Sequence, residues 1–407
     1  MNYYTEERHC RMCGGVLMPI LDLGELYISN FINPIDSVSK SPLVIAGCKK
    51  CGLVQLKHTV NLDSMYKKHY WYRSGLNRSM VKDLEDVVRS AENLIELKHG
   101  DTVIDIGCSD GTLLSLYKNQ DLNKIGFDPA PNLINMASSK CTYFINDYFK
   151  GDNPLFWGAK IITSIAMFYD ICDPNFFVEE IKKSLSPNGI WIIQFTDLLS
   201  MLRANAIDNL CQEHIILYKL SDIKNLIEKH GLEIFKVNYN KVNGGSIRIY
   251  VSFPGVFAVD ESVEYSLINE RKYLETDSIV KLYYRFQAYK RKINYFLTRF
   301  PQYDVFALAA GTKGNSLIQF MGWNRDWIKA IGEINEDKIG LVTAGTSIPI
   351  ITEEKVLQSE PGLIIILAWH FKETFLEVLK DYISRGGLVL FPLPVPRVFS
   401  RKGEIDL

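Results

Sequence analysis

Four cysteines stand in two pairs, C-R-M-C at Cys10–Cys13 and C-K-K-C at Cys48–Cys51, each followed by a glycine. Tetrahedral zinc takes four thiolates, and a C-x-x-C-G turn delivers two from one knuckle, so two knuckles complete a site. Neither pair follows a strand and opens a helix, as a thioredoxin-like redox motif would. Cys10, Cys13, Cys48 and Cys51 are therefore the expected ligands of a structural zinc. Four thiolates leave that metal no open coordination position for catalysis.

A second constellation is V-I-D-I-G-C-S-D-G-T-L-L, carrying Asp105, Gly107, Cys108, Ser109 and Gly111, with Asp128 and Pro129 at the end of the next strand-like run. In a dinucleotide fold this layout sets a pyrophosphate on a helix N-terminus and an acid on a ribose. Here Ser109 replaces the middle glycine of G-x-G-x-x-G and the third-glycine spacing is lost. S-adenosylmethionine (SAM), with a ribose diol and no phosphate, suits the loop better than NAD does. A tight strand-to-helix turn without a ligand is the plain alternative. Asp147, farther along, joins the expected cofactor set.

Glu213–His214, in N-L-C-Q-E-H-I-I-L-Y, is the pair that acid–base chemistry would use, and a polar turn is its competing reading. N-G-G-S-I-R at 243–248 reads equally as a primed hairpin turn or as amides and Ser246 lining a pocket. In A-A-G-T-K-G-N a glycine turn before a helix offers amides, and Lys313 a charge, to a diphosphate.

The elements that must position these residues fall into three segments: 1–62 for the metal, 63–255 for the cofactor and 256–407 beyond. Strand-like T-V-I-D-I-G, K-I-G-F-D-P-A, K-I-I-T-S-I-A-M-F-Y-D and I-W-I-I-Q-F alternate with helix-like runs, which argues for a parallel sheet flanked by helices. S-P-N-G reads as the turn into the last of these strands. Ile279, Leu282, Phe286, Tyr289, Ile293 and Phe296 recur at spacings of three and four, the stripe of a long helix leading the third segment. Y-D-V-F-A-L-A-A-G, G-L-I-I-I-L-A-W-H and G-G-L-V-L-F-P-L-P then read as strands of a second, smaller Rossmann-like unit.

The 407 residues carry 46 Lys and Arg against 47 Asp and Glu, which speaks against a protein whose main work is to hold nucleic acid. The N-terminus lacks the apolar stretch of a secretory signal, and no run approaches a membrane span, so a cytoplasmic enzyme without a membrane partner is expected.

Taken in order, these motifs resemble the SAM-dependent sugar C-methyltransferases that act on nucleotide-linked deoxysugars. The resemblance rests on C-R-M-C-G-G with C-K-K-C-G-L, H-Y-W-Y-R-S-G-L-N-R-S-M (His69–Met80), D-I-G-C-S-D-G-T-L-L with G-F-D-P-A, Q-E-H-I-I-L-Y-K-L-S-D-I with N-G-G-S-I-R-I-Y, and T-K-G-N-S-L-I-Q-F-M-G with T-A-G-T-S-I-P-I-I and L-A-W-H-F. It implies a zinc-binding domain, a class I methyltransferase core and a Rossmann-like C-terminal domain, with SAM and zinc as cofactors. It further implies that His214 is the base forming an enolate, that Glu213 orients the imidazole or bonds a sugar hydroxyl, and that Tyr72 holds the SAM end or the enolate oxygen. Asn243, Gly244, Ser246, Lys313, Asn315 and His370 fall in the part that would hold the sugar nucleotide. The family's Tyr/Cys-His-Glu-His block reads Cys211-Gln212-Glu213-His214 here. Asn243 stands where His is common, and His370 where Asn is expected. Sugar O- or N-methylation on the same scaffold is the nearest alternative, and an RNA methyltransferase a more distant one.

Overall fold

A computed structural model describes residues 3–299 and 304–407. Met1, Asn2 and Tyr303, the last heading the first strand-like run of the third segment, lie outside the described residues. Each of the three segments contributes a sheet.

In the first, Leu17–Tyr27, Lys40–Cys48 and Val54–Leu56 pair antiparallel. The side chains of Leu43, Ile45, Leu53 and Leu56 close its core. A fourth strand comes from far along the chain: Ile216–Leu217 pairs with Val54 and Gln55.

The middle sheet has seven strands in the order Glu233–Asn240, Ser246–Ser252, Leu185–Phe195, Ala159–Ile165, Thr102–Ile106, Asn123–Phe127, Tyr143–Ile145. All run parallel except Ser246–Ser252, which is antiparallel to both neighbours. This is the strand order of class I methyltransferases. Its inner strands are buried along most of their length because both faces are covered. The helix Pro174–Ser184 starts where Asp173 accepts from the Phe176 amide and proline takes the first turn. The S-P-N-G stretch is not a turn that ends in a separate strand. Leu185 already pairs with Ala159, residues 186–189 bulge out, and Ile190 resumes the ladder at Ile161.

The C-terminal sheet also has seven strands, ordered Ile350–Thr352, Ile331–Glu333, Val305–Leu308, Leu363–Ile366, Leu388–Phe391, Arg397–Ser400, Gly403–Asp406. The first five are parallel, and the last two fold back antiparallel. Two helices precede it. The helix Glu261–Tyr273 packs on the middle sheet, where Ser262 accepts from the Val237 amide and Glu270 from the Ser221 amide. The helix Ser278–Thr298 buries the expected stripe of Ile279, Leu282, Phe286 and Ile293, while Tyr289 and Phe296 are half-buried.

Cross-ties hold the three parts together. Phe31–Ile32 pairs with Val342–Thr343, and the backbone of Tyr27 is bonded at both ends by the Gln319 amide. Among the described residues no helix is long and apolar enough to cross a membrane.

Candidate active site

The four thiols meet where the two C-x-x-C turns face each other. Their sulfur atoms all lie within 4.8 Å of one another, with Cys10–Cys51 at 3.6 Å and Cys13–Cys48 at 3.5 Å. Zinc–sulfur bonds of about 2.3 Å require tetrahedral edges of about 3.8 Å, so the cluster needs little adjustment. Burial pushes the Cys10 thiol up to about 11. Cys48 is buried too, yet the Cys51 and Lys50 amides draw it down to about 7. Only a cation lets all four ionise together. Gly15 keeps the space open, since a Cβ there would sit 2.9 Å from the Cys48 sulfur and 2.8 Å from the Lys50 Cβ.

A cavity of about 830 Å³ opens between the carboxyl ends of the middle and C-terminal sheets. Open α/β sheets bind ligands at such strand ends. From the middle sheet, the loop after Thr102–Ile106 lines it through Gly107, Cys108 and Ser109. Gly107 has a φ of 73°, and a Cβ there would meet Met167 at 3.1 Å. Ser109 takes a left-handed φ of 51°, which aims its amide at Asp128 Oδ2, 2.9 Å away. Asp128 also accepts from the Ala130 amide, and burial raises it to about 6. Asp105 is raised by burial to about 7 and accepts from Thr163 Oγ1. Tyr72, 43% exposed, reaches the cavity beside this loop, and its carbonyl accepts from Ser109 Oγ. Pro129 and Asp147 also line the cavity, Asp147 at 3.0 Å from Lys67 Nζ. These residues fit SAM: a glycine loop without a phosphate cradle, an acid at the end of the second strand and an aromatic lid.

Glu213 and His214 line the same cavity, each 8% exposed. His214 Nδ1 lies 2.9 Å from the Asn209 carbonyl. A carbonyl only accepts, so Nδ1 carries the hydrogen and Nε2 keeps the lone pair. Burial, with Lys313 adding its charge, holds the imidazole down to about 3. Glu213 does not orient this ring, as the sequence reading allowed; the Asn209 carbonyl does. The Glu213 carboxylate has no hydrogen-bond or ion-pair partner among the described residues, and burial raises it to about 7.

Tyr66, Tyr169 and Asp170 are among the cavity residues that escaped the sequence reading. Burial, then Glu213, holds Asp170 well above the usual carboxylate range, with the Tyr66 hydroxyl pulling the other way; among the described residues neither Asp170 Oδ1 nor that hydroxyl completes a hydrogen bond. Tyr169 packs its ring 4.1 Å from His214. Asp170 ends the run K-I-I-T-S-I-A-M-F-Y-D after a central strand, and that position was the available signal.

From the C-terminal sheet, Lys313 and His370 line the cavity together with Asn243. Lys313 Nζ donates to the Asn243 carbonyl at 3.3 Å, and burial, then Lys313, holds His370 down to about 3. Four expected site residues do not face the cavity. Gly111, at φ 74°, caps a short helix, and a Cβ there would press on Ala137. Gly244 lies against the Trp369 ring, which a Cβ would meet at 2.6 Å. Ser246 is buried and donates to the Val242 carbonyl, while Asn315 donates to the Asn30 carbonyl. Asn243 and Gly244, with φ of 55° and 90°, form the primed turn that Asn-Gly favours. Gln212 does not line the cavity either and donates to the Leu26 carbonyl in the zinc-bearing sheet.

Family models match this chain in succession: "Putative zinc binding domain" over residues 10–66, "Methyltransferase domain" over 76–237 and "C-methyltransferase C-terminal domain" over 241–394. Matched by all three in succession, the chain is a SAM-dependent C-methyltransferase with SAM and zinc as its cofactors. It is 24% identical to the C-methyltransferase NovU of Streptomyces niveus over 97% of this chain and 98% of that one. Solved structures similar to part of it include a SAM-dependent methyltransferase from Aquifex aeolicus, at 18% identity and a TM-score of 0.33, covering 43% of this chain and 93% of that one. Another is the magnesium protoporphyrin IX methyltransferase of Synechocystis with bound SAM, at 12% identity and a TM-score of 0.33, covering 43% of this chain and 78% of that one.

Proposed function

We propose that this C-methyltransferase acts on a nucleotide-linked deoxy keto-sugar and that His214 is the base that forms the enolate. The observation that carries the reading is one cavity with a glycine loop from each sheet at its ends and Glu213–His214 on its wall. The loop at Gly107–Ser109 suits SAM. The turn before the helix Thr312–Met321, with Lys313 beside it, suits the diphosphate of the acceptor.

Carbon–carbon bond formation needs a nucleophilic carbon, which a neighbouring ketone makes accessible as an enolate. His214 is prepared for the first step by the hydrogen bond that leaves Nε2 unprotonated. Its burial keeps it neutral throughout the physiological range. The proton on the carbon next to the ketone moves to Nε2, and the C–H electron pair enters the enolate. The forming imidazolium and enolate offset each other's charge, which eases the cost of ionising a buried ring. The Gly107–Ser109 loop, with Asp128 and Tyr72, would hold SAM, which would supply an electrophilic methyl for the enolate carbon and keep the C–S electron pair on its sulfur. Glu213 accepts from a hydroxyl of the sugar, and Tyr72 closes over the reacting groups to hold the in-line arrangement.

With S-adenosylhomocysteine in place of SAM and in D2O, the wild-type enzyme should exchange the proton beside the ketone. His214→Asn should slow exchange and turnover by about 10²–10⁴, with SAM affinity changed less than about twofold. Turnover in His214→Asn close to wild type would remove His214 from the reaction.

A further inference from the structure

The C-terminal sheet repeats the ligand-binding layout of the middle sheet. In both, five adjacent strands pair parallel in the spatial order third, second, first, fourth, fifth. In both, a glycine turn follows the first strand: Gly107–Gly111 in one and Ala309–Gly314 in the other, where Ala309 has a left-handed φ of 70°. In both, an acid closes the second strand, Asp128 just after Asn123–Phe127 and Glu333 as the last residue of Ile331–Glu333.

The two acids are held alike. One oxygen of Asp128 accepts from the amide two residues on, Ala130, at 2.9 Å. One oxygen of Glu333 accepts from the corresponding amide, Asn335, at 3.0 Å, and also from Ile334 at 2.8 Å. The other oxygen of Glu333 lies 3.4 Å from Lys338 Nζ, a long contact that leaves it accepting capacity. Lys338 also donates to the Ala310 carbonyl at 2.7 Å and so ties the acid to the glycine turn. Glu333 is 8% exposed, and what surface it keeps faces the cavity.

We infer that Glu333 accepts hydrogen bonds from the pentose hydroxyls of the acceptor's nucleoside, as an acid in its position does in dinucleotide folds. The inference rests on the reading above that the acceptor is nucleotide-linked. With the diphosphate at the turn beside Lys313, the pentose falls at the neighbouring strand end, where Glu333 stands. A purely structural Glu333–Lys338 pair would be indifferent to the pentose.

Calorimetry on the full zinc-loaded chain tests this with UDP, GDP, CDP and dTDP, and with the 2′,3′-dideoxy analogue of whichever binds tightest. Loss of a hydrogen bond to a charged acceptor should weaken the dideoxy analogue about tenfold. In Glu333→Gln the two ligands should differ by less than about twofold, with SAM affinity as the check on folding. A dideoxy analogue that binds wild type as tightly as its parent overturns the role of Glu333 and leaves the nucleotide reading standing. If none of the diphosphates binds while SAM does, the nucleotide reading fails and the role of Glu333 with it. The wild-type comparison decides the matter even if Glu333→Gln does not fold.

Discussion

Glu213 and His214 are neighbours in the chain, and burial drives them in opposite directions, the carboxyl up to about 7 and the imidazole down to about 3. Both shifts favour the neutral forms, as expected where a cavity excludes water before the substrate arrives. They also affect stability. A carboxyl raised from its unfolded value of 4.5 binds its proton more tightly in the folded state, so its stabilising effect is complete below about 4.5 and is lost as pH rises through about 7. Glu213→Gln removes that penalty. The variant should therefore gain stability over wild type at pH 8, on the order of 3 kcal/mol, and little at pH 4.5. Denaturant melts at the two pH values measure the difference, and an equal change at both would show that Glu213 is not held protonated. The dipeptide was legible in the sequence as a polar pair in an apolar run. Its surroundings were not: the Asn209 carbonyl that holds His214 is brought there by loop geometry that has no periodicity to read.

At the scale of elements, the zinc-bearing sheet is completed by Ile216–Leu217, two residues beyond His214. Gln212 reaches the same sheet through the Leu26 carbonyl, and the Leu56 amide donates to the Ile215 carbonyl. The segment carrying Glu213 and His214 is thus seated on the zinc-bearing domain. Removing zinc with a chelator, or replacing one ligand as in Cys48→Ser, should lower turnover by at least tenfold while SAM still binds within about threefold. Turnover measured alongside SAM titration checks this, and full activity in a demonstrably zinc-free enzyme would contradict it. The long strands were readable because buried parallel strands are continuous apolar runs. A two-residue strand leaves no such run, and its partner lies some 160 residues earlier. The polar helix Glu261–Tyr273 likewise gave no sign that it packs on the middle sheet, because few of its side chains are buried there.

At the scale of the molecule, the parallel strands of two sheets turn their carboxyl ends toward one cavity. The C-terminal domain was legible as a second α/β pattern through V-F-A-L, L-I-I-I and L-V-L-F, each bounded by glycine or proline. That its first loop faces the SAM loop across a shared cavity depends on long-range ties such as Tyr27 to Gln319 and Trp71 to Asn30, which no local pattern announces. On the proposed reading, this arrangement brings the methyl donor and a nucleotide-linked acceptor together with the reacting carbon beside His214. The central claim is tested most directly by incubating the zinc-loaded enzyme with ¹³C-methyl SAM and a panel of nucleotide-linked 4-keto-6-deoxy sugars, with products read by NMR. The account predicts a labelled methyl bonded to carbon next to the ketone, with loss of the proton that carbon carried. A label on oxygen or nitrogen, or no transfer to any sugar by enzyme that still binds SAM, would contradict it.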